Sequence, residues 1–273
     1  MNKYLVSTGT IPFAFGSEFT NYKIINQVVK GFDIDGLELI FLPEWDKQRA
    51  PLTPTSSDWK MVNKVELEEL VSYFKSNSLQ VPSIHVNRDV GNYLSSKKIS
   101  MITRGQNILN ENLNVAKELG AKQAVIHLWD TYQDKVNVKD LFQKVYEVTS
   151  HYDIAITFEN IPISDPQLSV TKVWYLLKEM MPNNYGFTLD LNWCSLYSNF
   201  SELLKFRDDI YNIHVHGYLD NQIIKPLVGD IDILDNLHNL CLDKKNRYVT
   251  LELTRIKGIN DFIKSIQLMK DYS

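Results

Sequence analysis

Ile154 to Pro162 reads I-A-I-T-F-E-N-I-P, and the fold is decided on this stretch. Small and large apolar residues alternate up to Phe158, as in a buried strand, and the run stops at Glu159-Asn160 before a proline. A carboxylate at the last position of a buried strand needs a partner, because burying it unpaired is costly. A basic side chain or a metal cation can fill that role, and the rest of the chain decides between them.

The same strand-then-helix unit recurs on both sides of this stretch. Upstream, strands are expected at Lys3 to Ser7, at Gly36 to Leu42 (G-L-E-L-I-F-L, with Glu38 inside), at Val81 to Val86 (V-P-S-I-H-V, with His85) and at Gln123 to Trp129 (Q-A-V-I-H-L-W, with His127). Between them, apolar residues at helical spacing mark helices over Tyr22 to Lys30 with Gly31 as its C-cap, Val65 to Ser76, Ile99 to Leu119 stopped by Gly120, and Asp140 to Ser150. Downstream come a helix at Leu168 to Met181 stopped by Pro182, a strand at Tyr185 to Trp193 with Asp190, and a short helix at Phe200 to Asp208. A strand at Ile210 to Gly217 (I-Y-N-I-H-V-H-G), a helix at Ile231 to Leu242, a strand at Arg247 to Thr254 with Glu252 and a helix at Asn260 to Lys270 close the series. Residues 43–64, with three prolines and both Trp45 and Trp59, read as a long loop of the kind that forms lids and binding surfaces.

Eight such alternations with no low-complexity linker predict a single-domain α/β fold over residues 1–273, a (β/α)8 TIM barrel. A doubly wound open sheet is the alternative, but no glycine-rich phosphate loop stands where that fold would place one.

Composition limits the function classes. With 44% hydrophobic residues the chain can bury a large core, and a formal charge of -4 gives no footprint for nucleic acid. Cys194 and Cys241 form no C-x-x-C pair, which fits a reducing compartment without a disulfide framework or zinc finger. The opening residues carry no long apolar segment and no run is long enough to span a bilayer, so a cytoplasmic protein with no membrane partner is expected. Oligomeric state is left open.

In a barrel, side chains at the C-terminal ends of the strands converge on one point. Here that end would gather His85, His127, Glu159, Asp190, His214, His216 and Glu252. Converging carboxylates repel one another unless a cation separates them, and no lysine stands within these strand ends. Imidazoles with carboxylates suit a divalent zinc, manganese, iron or cobalt ion, one or two per chain. A lone histidine in a strand is more often a satisfied core residue, and a strand-end acid is often a helix cap. Seven at equivalent positions are harder to assign that way. Glu38 is expected either to pair with an arginine inside the barrel or to contact substrate.

The motifs G-L-E-L, I-H-V, V-I-H-L, F-E-N, L-D-L-N, I-H-V-H-G and L-E-L, in that order, resemble the xylose-isomerase-like TIM-barrel superfamily. That superfamily includes sugar-phosphate isomerases/epimerases and AP endonuclease family 2. The resemblance implies that Glu159, Asp190, one histidine of the seventh strand and Glu252 hold a metal. In its hydrolytic branch, the positions of His85 and His127 join Glu159 around a second metal. His214 matches that branch better, leaving His216 for substrate, although either can be the ligand. Trp193 stands where these families carry the histidine of D-x-x-H, and the Asp–His pair of the loop after strand seven is missing. A third metal and AP-endonuclease activity are therefore not expected. S-T-G-T-I-P-F and H-V-H-G also resemble the cobamide-remodelling phosphodiesterase branch.

Three functions follow. One is a metal-dependent isomerase or epimerase of a small sugar, polyol or sugar phosphate working through an enediolate, with Glu159 and Glu252 as base and acid. His216, Glu38, Trp193 and Lys225 would then contact substrate, with Arg88 and Arg255 as further cations for a phosphate. The second is a two-metal phosphoester hydrolase bridged by Glu159, and the third is a non-catalytic binding barrel.

Overall fold

A computed structural model describes residues 2–11, 22–42, 66–129, 135–256 and 258–273. The expected loop over 43–64, with Trp45 and Trp59, lies outside the described residues. Eight parallel strands close on themselves: β1 (Lys3–Ser7), β2 (Gly36–Ile40), β3 (Ser83–His85), β4 (Gln123–Ile126), β5 (Ala155–Glu159), β6 (Tyr185–Asp190), β7 (Ile210–Asp220) and β9 (Tyr248–Leu253). They run in the order β6-β5-β4-β3-β2-β1-β9-β7, and β7 pairs back onto β6. This is a TIM barrel in one unit. Helices α1 (Tyr22–Val29), α2 (Leu67–Ser76), α3 (Val90–Leu94), α4 (Ile99–Leu119), α5 (Val138–Thr149), α6 (Val170–Met180), α7 (Leu191–Tyr197), α8 (Phe200–Leu203), α9 (Ile233–Cys241) and α10 (Ile259–Asp271) fill the connections.

Strand alternation sorts the side chains. On β5, Ile156 and Phe158 join the apolar layer under the helices, whereas Thr157 and Glu159 are buried outside that layer. β7 repeats the pattern, with Ile213 and Val215 in the layer and Asn212, His214 and His216 on the opposite face. The layer is well packed, as where Trp174 of α6 stacks on Phe187 of β6 at 4.1 Å between ring centroids. The barrel interior is unusually polar for a fold whose lumen is normally filled by branched aliphatics. Glu38, Ser83, Thr157, Thr188, Asn212, His214 and Thr250 are all fully buried.

The structure corrects several boundaries. The sixth strand ends at Asp190 rather than Trp193, and α7 starts at Leu191 because the Asp190 carboxylate accepts the Trp193 backbone N–H at 3.0 Å. The seventh strand, expected to end at Gly217, continues past it into a hairpin with β8 (Ile223–Lys225). Gly120 caps α4 in the left-handed conformation, φ 77°, as its position predicts. Gly31 does not do so for α1. There the chain turns through a tight Phe32 N–H to Val29 carbonyl bond of 3.0 Å, which needs no left-handed residue.

Candidate metal and active site

Glu159 ends β5 nearly fully buried, and its Oε2 is the meeting point of three histidines from three other strands. His85 Nε2 at the end of β3 lies 3.2 Å away, His127 Nε2 beyond β4 3.0 Å away, and His214 Nδ1 on β7 3.6 Å away. The β6–β7 register places Asp190 beside His214, and the β7–β9 register places Glu252 beside His216. His214 Nδ1 is 3.1 Å from Glu252 Oε2, and His216 Nδ1 is 2.7 Å from Asp190 Oδ2. Three overlapping sets result: His85–His127–Glu159, Glu159–Asp190–His214 and Asp190–His216–Glu252. Within each, one potential ligand atom per residue lies within 4.8 Å of the others.

Two side chains outside the expected set align the acids. Asn160, next to Glu159, accepts the Asp190 backbone N–H at 2.6 Å and donates to its carbonyl at 3.0 Å, pinning the end of β6 to β5. Its place directly after a strand-end acid was the signal that could have found it. Asn212 donates to Glu38 at 2.9 Å and accepts from Thr250 at 3.1 Å, a role that only the register reveals.

The electrostatics are those of a charged cluster largely withdrawn from water, with His127, His216 and Glu252 partly exposed. Burial opposes ionisation of Glu159, but the His127 and His214 charges overcome it and hold the carboxyl well below the usual range. Glu252 behaves alike: burial raises it, His214 lowers it further, and it settles at about 2. Burial disfavours charge on His214, yet Glu38, Glu159 and Glu252 push its pKa well up. His216 is likewise penalised by burial but raised to about 9 by Asp190. Among the described residues, no Lys or Arg ion-pairs with these four acids, so protonated histidines are their only counter-charges.

Other expected contacts fall elsewhere. Lys225 is on the exposed β8 hairpin, paired with Asp220 at 2.7 Å. Arg255 lies over the Tyr218 ring at 5.7 Å. Trp193 stands edge-on to His216, with ring centroids 5.6 Å apart. Glu38 is fully buried beneath the cluster, and its ion-pair partner is His214 rather than an arginine. Above the cluster opens a cavity of about 280 Å³, lined by Gly9, Phe41, Arg88, His216, Glu252 and Thr254 among others.

The residues fit a divalent metal. His214 Nδ1 is buried with no hydrogen-bond partner, although two carboxylates flank it. His85 gives its Nδ1 proton to the Val86 carbonyl at 2.9 Å, so Nε2, the atom facing Glu159, is the one that would ligate a cation once its own proton is displaced.

No family model and no curated protein sequence matches the chain. Solved structures do. D-allulose 3-epimerase from Methylomonas sp., in complex with D-allulose, superposes with a TM-score of 0.69 at 12% identity, covering 100% of this chain and 97% of that one. For 3-keto-D-glucoside 4-epimerase from E. coli the values are 0.63, 14%, 99% and 100%. For a sugar phosphate isomerase/epimerase from Parabacteroides distasonis they are 0.62, 15%, 98% and 93%. At such identities the likeness is one of fold alone: these neighbours share the chain's (β/α)8 barrel.

Proposed function

We propose that this chain is a metal-dependent isomerase or epimerase of a small sugar, polyol or sugar phosphate. The observation that carries the reading is the pair Glu159 and Glu252, on strands β5 and β9, both facing His214 Nδ1. The named activities of the structural neighbours point the same way. Glu159, Asp190, His214 and Glu252 would hold the ion. Bound there, a divalent zinc, manganese, iron or cobalt ion would polarise adjacent substrate oxygens and stabilise the charge left when a C–H proton is removed.

The chain's own groups do the rest. Glu159 and Glu252 are ionised at neutral pH, so either carboxylate can accept a proton from carbon. In epimerisation one carboxylate removes the proton from one face and the other returns it to the opposite face; in isomerisation one serves both steps. His216, fixed by Asp190 and lining the cavity, orients a substrate hydroxyl, and Trp193 buttresses the imidazole. Arg88 at the cavity edge offers a charge for a phosphate or hydroxyl. At about 280 Å³ the cavity is near the lower end for ligand pockets, which suits a small substrate.

A second reading is favoured by His85 and His127, which meet on the same Glu159 oxygen as a two-metal phosphoester hydrolase would require. One assay separates the two. The metal-reconstituted protein is incubated with free and phosphorylated ketoses and, in parallel, with a chromogenic phosphodiester. New ketose stereoisomers with no phosphodiester cleavage support the isomerase. Cleavage without sugar conversion overturns it in favour of the hydrolase.

A further inference from the structure

We propose that the opposite mouth of the barrel holds a second binding site, for a small phosphate monoester whose phosphate sits between Lys3 and Lys122. The proposal is independent of the metal reading. A cavity of about 400 Å³ opens there, lined by Lys3, Lys122, Gln123, Ala155, Tyr211 and Tyr248 among others. Ala155 begins β5 and Glu159 ends it, so the two sites stand roughly 13 Å apart along that strand.

Strand alternation explains the cavity. On β1, Tyr4 and Val6 pack into the layer under the helices, which leaves Lys3 on the lumen face with Leu5 and Ser7. On β9, Val249 and Leu251 lie in that layer, so Tyr248 faces inward, and the register sets it beside Lys3. The inward residues that open β4 and β5 are the paired Gln123 and Ala155. Gln123 is buried, with its Nε2 donating to Ser83 at 3.3 Å, and closes the floor. The single methyl of Ala155 cannot fill a level where a barrel normally stacks branched aliphatics, so the space stays open.

Charge selects the occupant. No Asp or Glu is among the described residues lining the cavity. Arg247, which also lines it, is already matched: its two terminal nitrogens each donate to Asp243 at 2.6 Å. Lys3 and Lys122 have no ion-pair partner among the described residues. In a chain of net charge -4, a concavity with two uncompensated ammonium groups focuses a local positive potential. A phosphate monoester, carrying about -1.5 to -2 near neutral pH, matches those two charges. Phosphate alone would leave most of the cavity empty, and the Tyr211 and Tyr248 rings offer surfaces for an organic body. The Tyr248 hydroxyl has no hydrogen-bond partner among the described residues and can donate to the ester.

The full chain is titrated by calorimetry with phenylphosphonate, a phosphate-ester mimic that resists hydrolysis, at constant ionic strength. Wild type is expected to bind, and the Lys3→Gln/Lys122→Gln double variant to bind about 10–100-fold more weakly, as loss of two charge-assisted contacts implies. Ala155→Leu, which fills the cavity and keeps both lysines, should lose binding too. Arg88→Gln, at the other mouth, should bind as wild type does. Thermal melts check that each variant is folded. No binding by wild type at millimolar phenylphosphonate overturns the proposal. Unchanged binding by the folded double variant overturns it as well. So does unchanged binding by folded Ala155→Leu, which would put the anion on surface lysines outside the cavity. Loss of binding in Arg88→Gln alone would place the ligand at the active-site mouth and overturn it equally.

Discussion

At Glu159 Oε2 three imidazoles lie within 3.0–3.6 Å of one oxygen, so no single partner satisfies the carboxylate. Glu159→Gln removes the charge and replaces one acceptor oxygen with a donor. It is expected to lower turnover by about 10²–10⁴-fold, the range for a general base, with the fold intact by circular dichroism. Retained turnover would exclude both enzymatic readings. The Asp190–His216 pair gives a pH signature in metal-free protein. The folded pKa of His216, about 9, is above its ordinary 6.5, so the pair's stabilisation is complete below pH 6.5 and lost as pH rises through 9. Melting in chelator should therefore fall across that window, and His216→Asn should flatten the fall. Glu159 itself was legible in sequence, as an acid ending an apolar run. Glu38 was legible only as a buried acid, because its partners come from β3 and β7 and nothing local announces them.

At the scale of elements, the strands were readable because β-barrel strands are short apolar runs with inward residues at every second position. Their ends were less so. Leu191-Asn192-Trp193 continues the apolar composition of β6, and only the Asp190 cap turns it into α7. The β7–β8 hairpin was missed because Tyr218–Asp220 carries no strong strand pattern. Its close approach is visible at Gly217, where an added Cβ would stand 2.1 Å from the Lys225 carbonyl oxygen. Gly217→Ala must push the hairpin away from the strand that carries His214 and His216. A loss of about 1–3 kcal/mol in denaturant unfolding is expected, with weakened activity. The α6 N-cap offers a control: Ser169→Ala, which removes the bond to the Lys172 N–H, should cost about 1 kcal/mol and leave activity unchanged.

For the whole molecule, the eightfold alternation was enough to predict the barrel, and the barrel was enough to gather strand-end histidines and acids. Pairwise distances, and with them the three overlapping ligand sets, depend on registers that the sequence does not spell out. Among the described residues no helix is long and apolar enough to cross a membrane. Metal occupancy should be visible globally: a hundredfold excess over the dissociation constant adds about 2.7 kcal/mol of stability, raising the melting temperature reversibly with chelator. The most direct measurement of the chemistry is proton exchange at carbon. Metal-reconstituted protein is incubated in D2O with the ketose converted best, and the sugar is followed by NMR. Wild type should place solvent deuterium at the epimerised or isomerised carbon, and the Glu159→Gln/Glu252→Gln double variant, which lacks both carboxylates, should abolish that exchange. A wild-type protein that binds metal, yet leaves every ketose and ketose phosphate proton unexchanged, would contradict the isomerase/epimerase assignment.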